Sequence, residues 1–301
     1  MPELPEVETV CRSLRPLLAG RRILRVEMGK TDFVDNPGEI AELAPGCAIG
    51  SVQRHGKFLE LMLERAEANQ SPLSLFVHLG MTGRLRVCDK EDEVAAHTHI
   101  VFGLNDAREL RYTDPRRFGR MALVRRAERE TILGKLGAEP LEITKADFCE
   151  RIAKRRARIK ALLLDQSVLR GIGNIYADES LWRARIHPMR LGAHLRRDEI
   201  AHLRSAVQKI LSEAIRLGGS SISDFVDAAG APGEFQLRHR AYGREGKGCP
   251  RCGSAIKRAI VAGRSSFYCG KCQRAPRQKT RRKGQRQRKI KIAPKRLNRA
   301  A

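Results

Sequence analysis

The sequence predicts an α+β protein of two domains. An N-terminal helix and an antiparallel β-sandwich come first, then a helical domain that ends in a small cysteine-paired module. Three observations carry the prediction. Short β-like apolar runs fill the chain from Ile23 to about Val124. Past residue 128 they give way to longer stretches with apolar residues every three or four positions. Two Cys-x-x-Cys pairs then follow near the end. At 301 residues the chain is long enough for two separate cores.

The elements follow in order. Leu4, Val7, Val10, Leu14, Leu17 and Leu18 recur at helical spacing, and Gly20 is a suitable stop. Runs at Ile23–Met28, Phe58–Leu63, Leu73–Leu79, Leu85–Val87 and His99–Leu104 are separated by Gly, Asn-Asp or polar clusters, which favours antiparallel strands over βαβ units. Thr144–Leu163 and Asp198–Leu217 show helical spacing on a basic background. Gly218-Gly219-Ser220-Ser221 breaks that pattern, and Gly230-Ala231-Pro232-Gly233 marks a flexible loop. The expected boundaries are 1–130 for the sandwich domain, 131–240 for the helical domain and 241–276 for the cysteine module. Residues 277–301 form a Lys/Arg/Gln-rich tail expected to be disordered. No internal repeat is visible.

Charge narrows the partner. Lys and Arg number 59 against 34 Asp and Glu, for a formal net charge of +25. The tail carries twelve basic residues and no acid, which leaves +13 on the rest. A basic body with a basic tail points to a polyanion, nucleic acid above all. No apolar run approaches the ~18–20 residues that span a bilayer, and Glu3, Glu6 and Glu8 occupy the wrong flank for a secretory signal. A cytoplasmic, nucleoid-associated protein is expected. Cys11, Cys47, Cys88 and Cys149 are scattered and read as reduced thiols.

The other four cysteines are different. Cys249-Pro-Arg-Cys252 and Cys269-Gly-Lys-Cys272 lie sixteen residues apart, a spacing that sets four thiolates on two opposed knuckles around one structural zinc ion. Between them Arg264 sits at a hairpin tip, placed either to grip a phosphate or simply to face solvent. Gly171-Ile172-Gly173-Asn174 runs into an apparent helix, where glycines let backbone approach an anion and Asn174 adds an amide donor. The spacing is not that of a dinucleotide site. Helix-turn-helix contact with a DNA backbone fits it, and a ligand-free tight turn is the alternative.

Tyr112-Thr113-Asp114-Pro115-Arg116-Arg117-Phe118-Gly119 sets two guanidinium groups beside an aromatic ring, a phosphate grip with a wedge, or else packing. His78-Leu79-Gly80-Met81-Thr82-Gly83 offers an apolar tip between glycines, and His55-Gly56-Lys57 a basic residue at a strand mouth. His97-Thr98-His99 lacks a visible third metal ligand.

The opening Met1–Val10 holds the most reactive group. With Met1 removed, Pro2 becomes a secondary α-amine, in a class titrating near ~7.7–8.0, so much of it is unprotonated at neutral pH. Such an amine attacks a sugar or aldehyde carbon to give an iminium, an electron sink, and Glu3 stands beside it to move protons. A proline-bounded helix start with acids in the first turn explains the same residues without chemistry.

Taken together these motifs resemble the bacterial formamidopyrimidine-DNA glycosylases, from Met1 to about Pro276. The pieces that carry the resemblance are Pro2–Thr9, Lys57, His78–Gly83, Tyr112–Gly119, Gly171–Glu179 and the four-cysteine ribbon. Leu4 resembles the purine-lesion branch, since the endonuclease VIII branch usually has Gly there.

The resemblance implies a helix-two-turn-helix in the helical domain and excision of oxidised purines followed by strand cleavage. It implies Pro2 as the Schiff-base nucleophile, Glu3 as general acid, Lys57 as proton donor in β-elimination and Arg264 in δ-elimination. It further implies that Asn174 clamps phosphates, that Met81, Arg116 and Phe118 fill the vacated duplex, and that His97, Arg116, Arg117 and Arg155 contact DNA. Damaged double-stranded DNA is the expected partner of a monomer that works away from membranes and needs no dissociable organic cofactor. An endonuclease VIII-type glycosylase for oxidised pyrimidines, or a non-catalytic zinc-ribbon DNA-binding protein, are the rivals. The chain departs from the family in its tail, read as an electrostatic tether to DNA.

Overall fold

The computed structural model describes residues 1–65, 71–222, 225–228 and 230–275; the tail 277–301, expected to be disordered, and Pro276 at the end of the ribbon lie outside them. The chain begins with α1 (Leu4–Leu18), β1 (Ile23–Met28), β2 (Val34–Asp35), α2 (Pro37–Leu43), β3 (Ala48–His55) and β4 (Phe58–Glu64). There follow β5 (Leu73–His78), β6 (Arg84–Asp89), β7 (Thr98–Leu104), β8 (Arg108–Thr113), β9 (Arg120–Val124) and α3 (Arg126–Gly134). The second body holds α4 (Lys145–Ala153), α5 (Ile159–Leu164), α6 (Asn174–Ala184) and α7 (Arg197–Arg216), and the hairpin β10 (Ile256–Val261) and β11 (Arg264–Cys269) completes the described chain.

Two sheets make the sandwich, in the orders β1-β7-β8-β6 and β2-β9-β5-β4-β3. Among the described strands, pairing is antiparallel except between β2 and β9, where Val34 and Asp35 run parallel to Met121 and Ala122. The antiparallel sandwich expected from the sequence thus carries one short parallel pair at that edge. Alternation does the folding elsewhere: Leu59, Leu61 and Leu63 of β4 are buried against Leu75 and Val77 of β5.

α1 belongs to both bodies. Val7, Val10, Cys11, Leu14 and Leu18 pack into the sandwich core. Leu4, one turn earlier, is buried instead in the helical core with Ile172, Ile175 and Tyr176. Each fully buried apolar side chain of this kind stabilises by roughly 1.5–3 kcal/mol. The first turn of α1 is therefore clamped between two cores.

The single helix expected over Thr144–Leu163 is two. α4 ends at Ala153 and α5 begins at Ile159. Ala193 N and Gly192 N donate to the carbonyls of Arg155 and Ala157, and Ile159 N donates to Arg190 O. Carbonyls and an amide that a continuous helix would use internally are bonded to residues 190–193 instead. In the last hairpin, Ala262 and Gly263 both have positive φ (51° and 70°), as a two-residue turn with strand-matched twist requires, so Val261 faces Arg264.

Candidate active site

Pro2 is buried beneath Met1, and the two share a pocket with Glu6, Met81, Ile175 and Ser220. Glu3 is 3% exposed and reaches across the domain boundary. Its carboxylate accepts from the backbone N–H groups of Gly173 (2.9 Å), Ile175 (3.0 Å) and Tyr176 (3.4 Å) at the N-terminus of α6. Gly173 has to be glycine, because a Cβ there would lie 2.3 Å from the Glu3 carboxyl carbon. The glycine-rich turn thus holds an anion, as its sequence suggests. That anion is the protein's own Glu3.

Burial pushes the Glu3 carboxyl above its ordinary range, against the charge of Lys57 and the three amides, which pull it down. Glu6 accepts from Glu3 N (2.8 Å), Ser220 N (2.7 Å) and the Tyr176 hydroxyl. Burial, then the charge of Glu3, raises it to about 7. Lys57, 9% exposed, follows Gly56 in the β3–β4 turn. Burial lowers its pKa and the charge of Arg264 lowers it further, while Glu3 and Glu6 oppose both. Arg264, exposed at the start of β11, therefore shares one electrostatic site with Lys57, Glu3 and Glu6.

Above this cluster stands an exposed apolar pair. Met81 is 42% and Phe118 56% exposed, and the Arg116 guanidinium lies 4.4 Å from the Phe118 ring centroid. Their two loops hang on one buried carboxylate. Asp114 accepts from Thr82 Oγ1 (2.5 Å), Gly119 N (2.9 Å) and the Tyr112 hydroxyl (3.2 Å). Gly80, at φ +61°, packs so closely that a Cβ would meet the Phe118 carbonyl carbon at 2.4 Å. Arg117 does not join this group. Its backbone is left-handed (φ 55°) and its guanidinium pairs with Asp32 at 2.7 and 2.8 Å.

The remaining predicted residues are spread. His97 is exposed with φ 66°, whereas its neighbour His99 is buried and bonded to Asp114 O, a packing role. Arg155 is exposed at the α4–α5 break. Asn174 opens α6, and its buried Oδ1 has no hydrogen-bond partner among the described residues. An orphaned buried acceptor at a helix start is a place where a ligand donor or water belongs.

The four cysteine sulfurs all lie within 4.8 Å of one another, and they are the one such His/Cys/Asp/Glu group among the described residues. Tetrahedral zinc at ~2.3 Å from each sulfur sets sulfurs about 3.8 Å apart, so the donor set fits one structural zinc ion. Trp182 Nε1 donates to Cys249 Sγ (3.4 Å), and Arg251 stacks 4.2 Å from the Trp182 ring. Such a donor orients a metal-binding thiolate.

α6 joins these parts. Its N-terminus holds Glu3. Asp178 pairs with buried Lys160 (2.7 Å) and accepts from Phe267 N, while Lys160 bonds Ser265 O, so the strand carrying Arg264 is fixed to it. Glu179 accepts from the amides of Arg240, Ala241 and Tyr242. Glu6, Asp114, Asp178 and Glu179 were not singled out in the sequence. The legible signal was two adjacent acids inside Ile175-Tyr176-Ala177-Asp178-Glu179-Ser180-Leu181-Trp182, a run otherwise suited to burial.

A buried acid held by a helix N-terminus, an exposed apolar pair and a four-cysteine zinc ribbon on a two-domain frame fit the DNA-glycosylase class. Three family models match in chain order. They are the formamidopyrimidine-DNA glycosylase N-terminal domain at residues 1–121, its H2TH domain at 136–226, and the zinc finger found in FPG and IleRS at 246–275.

The chain belongs to the formamidopyrimidine-DNA glycosylase family. It is 44% identical over 278 residues to that glycosylase from Herpetosiphon aurantiacus, covering 91% of this chain and all of the relative. Among solved structures it matches the MutM (Fpg) protein of Thermus thermophilus at TM-score 0.79 and 42% identity, over 90% of this chain and 98% of that one. It also matches a Lactococcus lactis Fpg variant in complex with Fapy-dG containing DNA at TM-score 0.83 and 33% identity, over 91% and 100%.

Proposed function

We propose that this protein is a bifunctional glycosylase and abasic-site lyase of base excision repair that removes oxidised purines, formamidopyrimidines and 8-oxoguanine, from duplex DNA. One observation carries the roles assigned here. The residue next to Pro2 is a buried carboxyl held by a helix N-terminus, with Lys57 and Arg264 in the same field.

Removal of Met1 frees the Pro2 amine. Its nitrogen bonds to deoxyribose C1′ as the bond from C1′ to the damaged base breaks; the amine gives up its N–H proton and the departing base takes up one. Glu3, whose raised pKa keeps a proton available nearer neutral pH than a solvated carboxyl would, protonates O4′ as the sugar ring opens, leaving an iminium. Loss of the C2′ proton then expels the 3′ phosphate, with Lys57 as proton donor, and loss of the C4′ proton expels the 5′ phosphate, with Arg264 as donor and phosphate grip. None of these steps passes through the zinc, whose chemistry is to hold the ribbon folded.

The base must leave the stack first, at a cost of a few kcal/mol. Met81 and Phe118, exposed and backed by Arg116, offset that cost by filling the space. His97, Arg116, Arg155, the Asn174 amide and the basic tail supply phosphate contact, so affinity should fall with salt. Arg117 spends one terminal nitrogen on Asp32, which leaves its other N–H groups for a phosphate. No helix of the described residues is long and apolar enough to cross a membrane. A role on chromosomal DNA supports the reading that the protein works in the bacterial cytoplasm.

Borohydride reduction with duplex containing 8-oxoguanine opposite cytosine tests the reading. Protein lacking Met1 should form a covalent adduct; the same chain with Met1 retained should form none, and Pro2→Gly should trap at a reduced rate. Equal trapping with and without Met1 would sink the role of Pro2.

A further inference from the structure

We propose that Arg54 is a positioning residue for strand cleavage. Its ion-pair network latches the two domains together and fixes the Lys57 turn against the turn that holds Glu3. The inference rests on the role given to Lys57 above.

Arg54 lies in β3, three residues before Lys57, with its side chain 8% exposed. Its Nε donates to Glu8 of α1 at 2.7 Å, and its two terminal nitrogens donate to the two oxygens of Glu139 at 3.1 Å each. Glu139 also accepts from Arg170 Nε at 3.1 Å. Glu8 takes its other hydrogen bond from the more exposed Arg12, at 2.7 Å. Arg54 thus has a carboxylate on each side, which allows its charge to be buried. The forked Arg54–Glu139 pair fixes orientation as well as distance, which a single charge contact does not.

The network crosses the domain boundary. Residues 137–139 are tied to 166–170 by backbone bonds, from Gly137 N to Gln166 O (2.7 Å) and from Arg170 N to Ala138 O (3.1 Å). Glu139 and Arg170 therefore move with the helical body, whereas Arg54 and Glu8 move with the sandwich and α1. Directly beyond Arg170, Gly171 O accepts Leu4 N at 2.9 Å, and two residues later Gly173 binds Glu3. On the other side Gly56 packs so tightly here that a Cβ would come within 3.0 Å of Gly171 N. The Gly56-Lys57 turn and the Arg170–Gly173 turn touch, and the Arg54–Glu139 pair pins their flanks. Without it, nothing polar in this network ties β3 to Glu139. The lysine turn would be free to shift by the ångström that proton transfer does not tolerate.

The test uses the full chain, with Met1 removed, on duplex DNA carrying a preformed abasic site in single turnover. Arg54→Met and Glu139→Gln should form the borohydride-trapped adduct within threefold of the wild-type rate, yet cleave the strand at least tenfold more slowly, so that adduct accumulates. The high-pH limb of cleavage should move upward, because a loosened lysine regains solvent, and Arg54→Lys should recover part of the rate.

Lys57→Ala is the reference. If it cleaves normally, the role of Lys57 fails whatever the latch does. If it is slow while Arg54→Met and Glu139→Gln both cleave within twofold of wild type, the latch is overturned. It is overturned equally if trapping and cleavage fall together, in step with the unfolded fraction seen by circular dichroism at the assay temperature; the near-isosteric Glu139→Gln guards against a variant that merely fails to fold.

Discussion

Glu3 and Asp114 are both nearly inaccessible carboxylates, 3% and 0% exposed, and each gathers three donors from residues that are not its helical neighbours. Their donors differ in kind. Glu3 takes three backbone amides at one helix terminus from the opposite domain, so its position reports how the two bodies are joined. Asp114 takes a hydroxyl from the Met81 loop, a hydroxyl from β8 and an amide from its own turn, so it binds two loops of one domain to each other. Glu3 also has Pro2 beside it in the chain and a lysine in its field. Asp114 holds the loops of two exposed apolar side chains, Met81 and Phe118, with the Arg116 guanidinium against the ring. The same burial of one carboxylate joins two domains in the first place and two loops of one domain in the second, and on the proposed mechanism only the first takes part in the reaction.

That contrast predicts which variant loses what. The largest effect is expected for Glu3→Gln. General acid catalysis is worth ~10²–10⁴ in rate, so excision in single turnover should fall by about a thousandfold. Binding to duplex containing a tetrahydrofuran abasic analogue should change less than threefold. The raised carboxyl acts in its protonated form, so wild-type excision should decline as pH rises through that pKa. The amide does not titrate, and the variant's residual rate should lack this decline. A Gln variant with the wild-type pH profile would remove Glu3 from proton transfer.

Asp114→Asn should show the opposite division. An amide can keep Gly119 N and the Tyr112 hydroxyl on its oxygen only by turning its NH₂ toward Thr82 Oγ1, which must then accept, and all three partners lose the charged acceptor. Hydrogen bonds to a buried charged group are worth ~1.5–3 kcal/mol each. Excision of a paired lesion should fall by about thirtyfold, with a lower melting temperature, while trapping on a preformed abasic site in a mismatched, already open pair stays within threefold. If both substrates suffer alike, the staple acts on the chemistry and the comparison with Glu3 collapses.

Much of this was legible in the chain. The spacing of Leu4, Val7, Val10 and Leu14 gave α1, alternation gave the strands, and four cysteines gave the ribbon, because each depends on near neighbours. The reactive reading of Pro2 and Glu3, and its rival as a proline-bounded helix start, likewise came from adjacent residues. What stayed hidden depends on distant partners: the 170-residue reach from Glu3 to Gly173, the Arg54–Glu139 pair, and the donors that gather on Asp114. Arg117 shows a second limit. Its neighbours predicted a DNA-facing guanidinium, but a left-handed backbone at that one residue turns it to Asp32. The break after Ala153 shows a third, since local spacing favoured one helix and the carbonyls found partners at Gly192 and Ala193.

Phe118→Ala separates the wedge from its support and should have the smallest effect of the three. The ring is more than half exposed, and among the described contacts its ring partner is Arg116 alone. Its removal leaves no cavity, so the melting temperature should stay within about 1 °C of wild type, unlike that of Asp114→Asn. Stacking of a base on an aromatic ring is worth ~1–3 kcal/mol. Met81 remains beside the gap and Arg116 can still reach it, so the loss should lie near the lower end, about fivefold in excision of a paired lesion. The deficit should shrink as the opposing pair weakens, because less unstacking is left for the ring to offset. Comparing 8-oxoguanine opposite cytosine with the same lesion in a locally melted bubble measures this directly. A deficit that stays the same in the bubble would mean that Phe118 contributes through phosphate or protein contacts rather than by entering the stack.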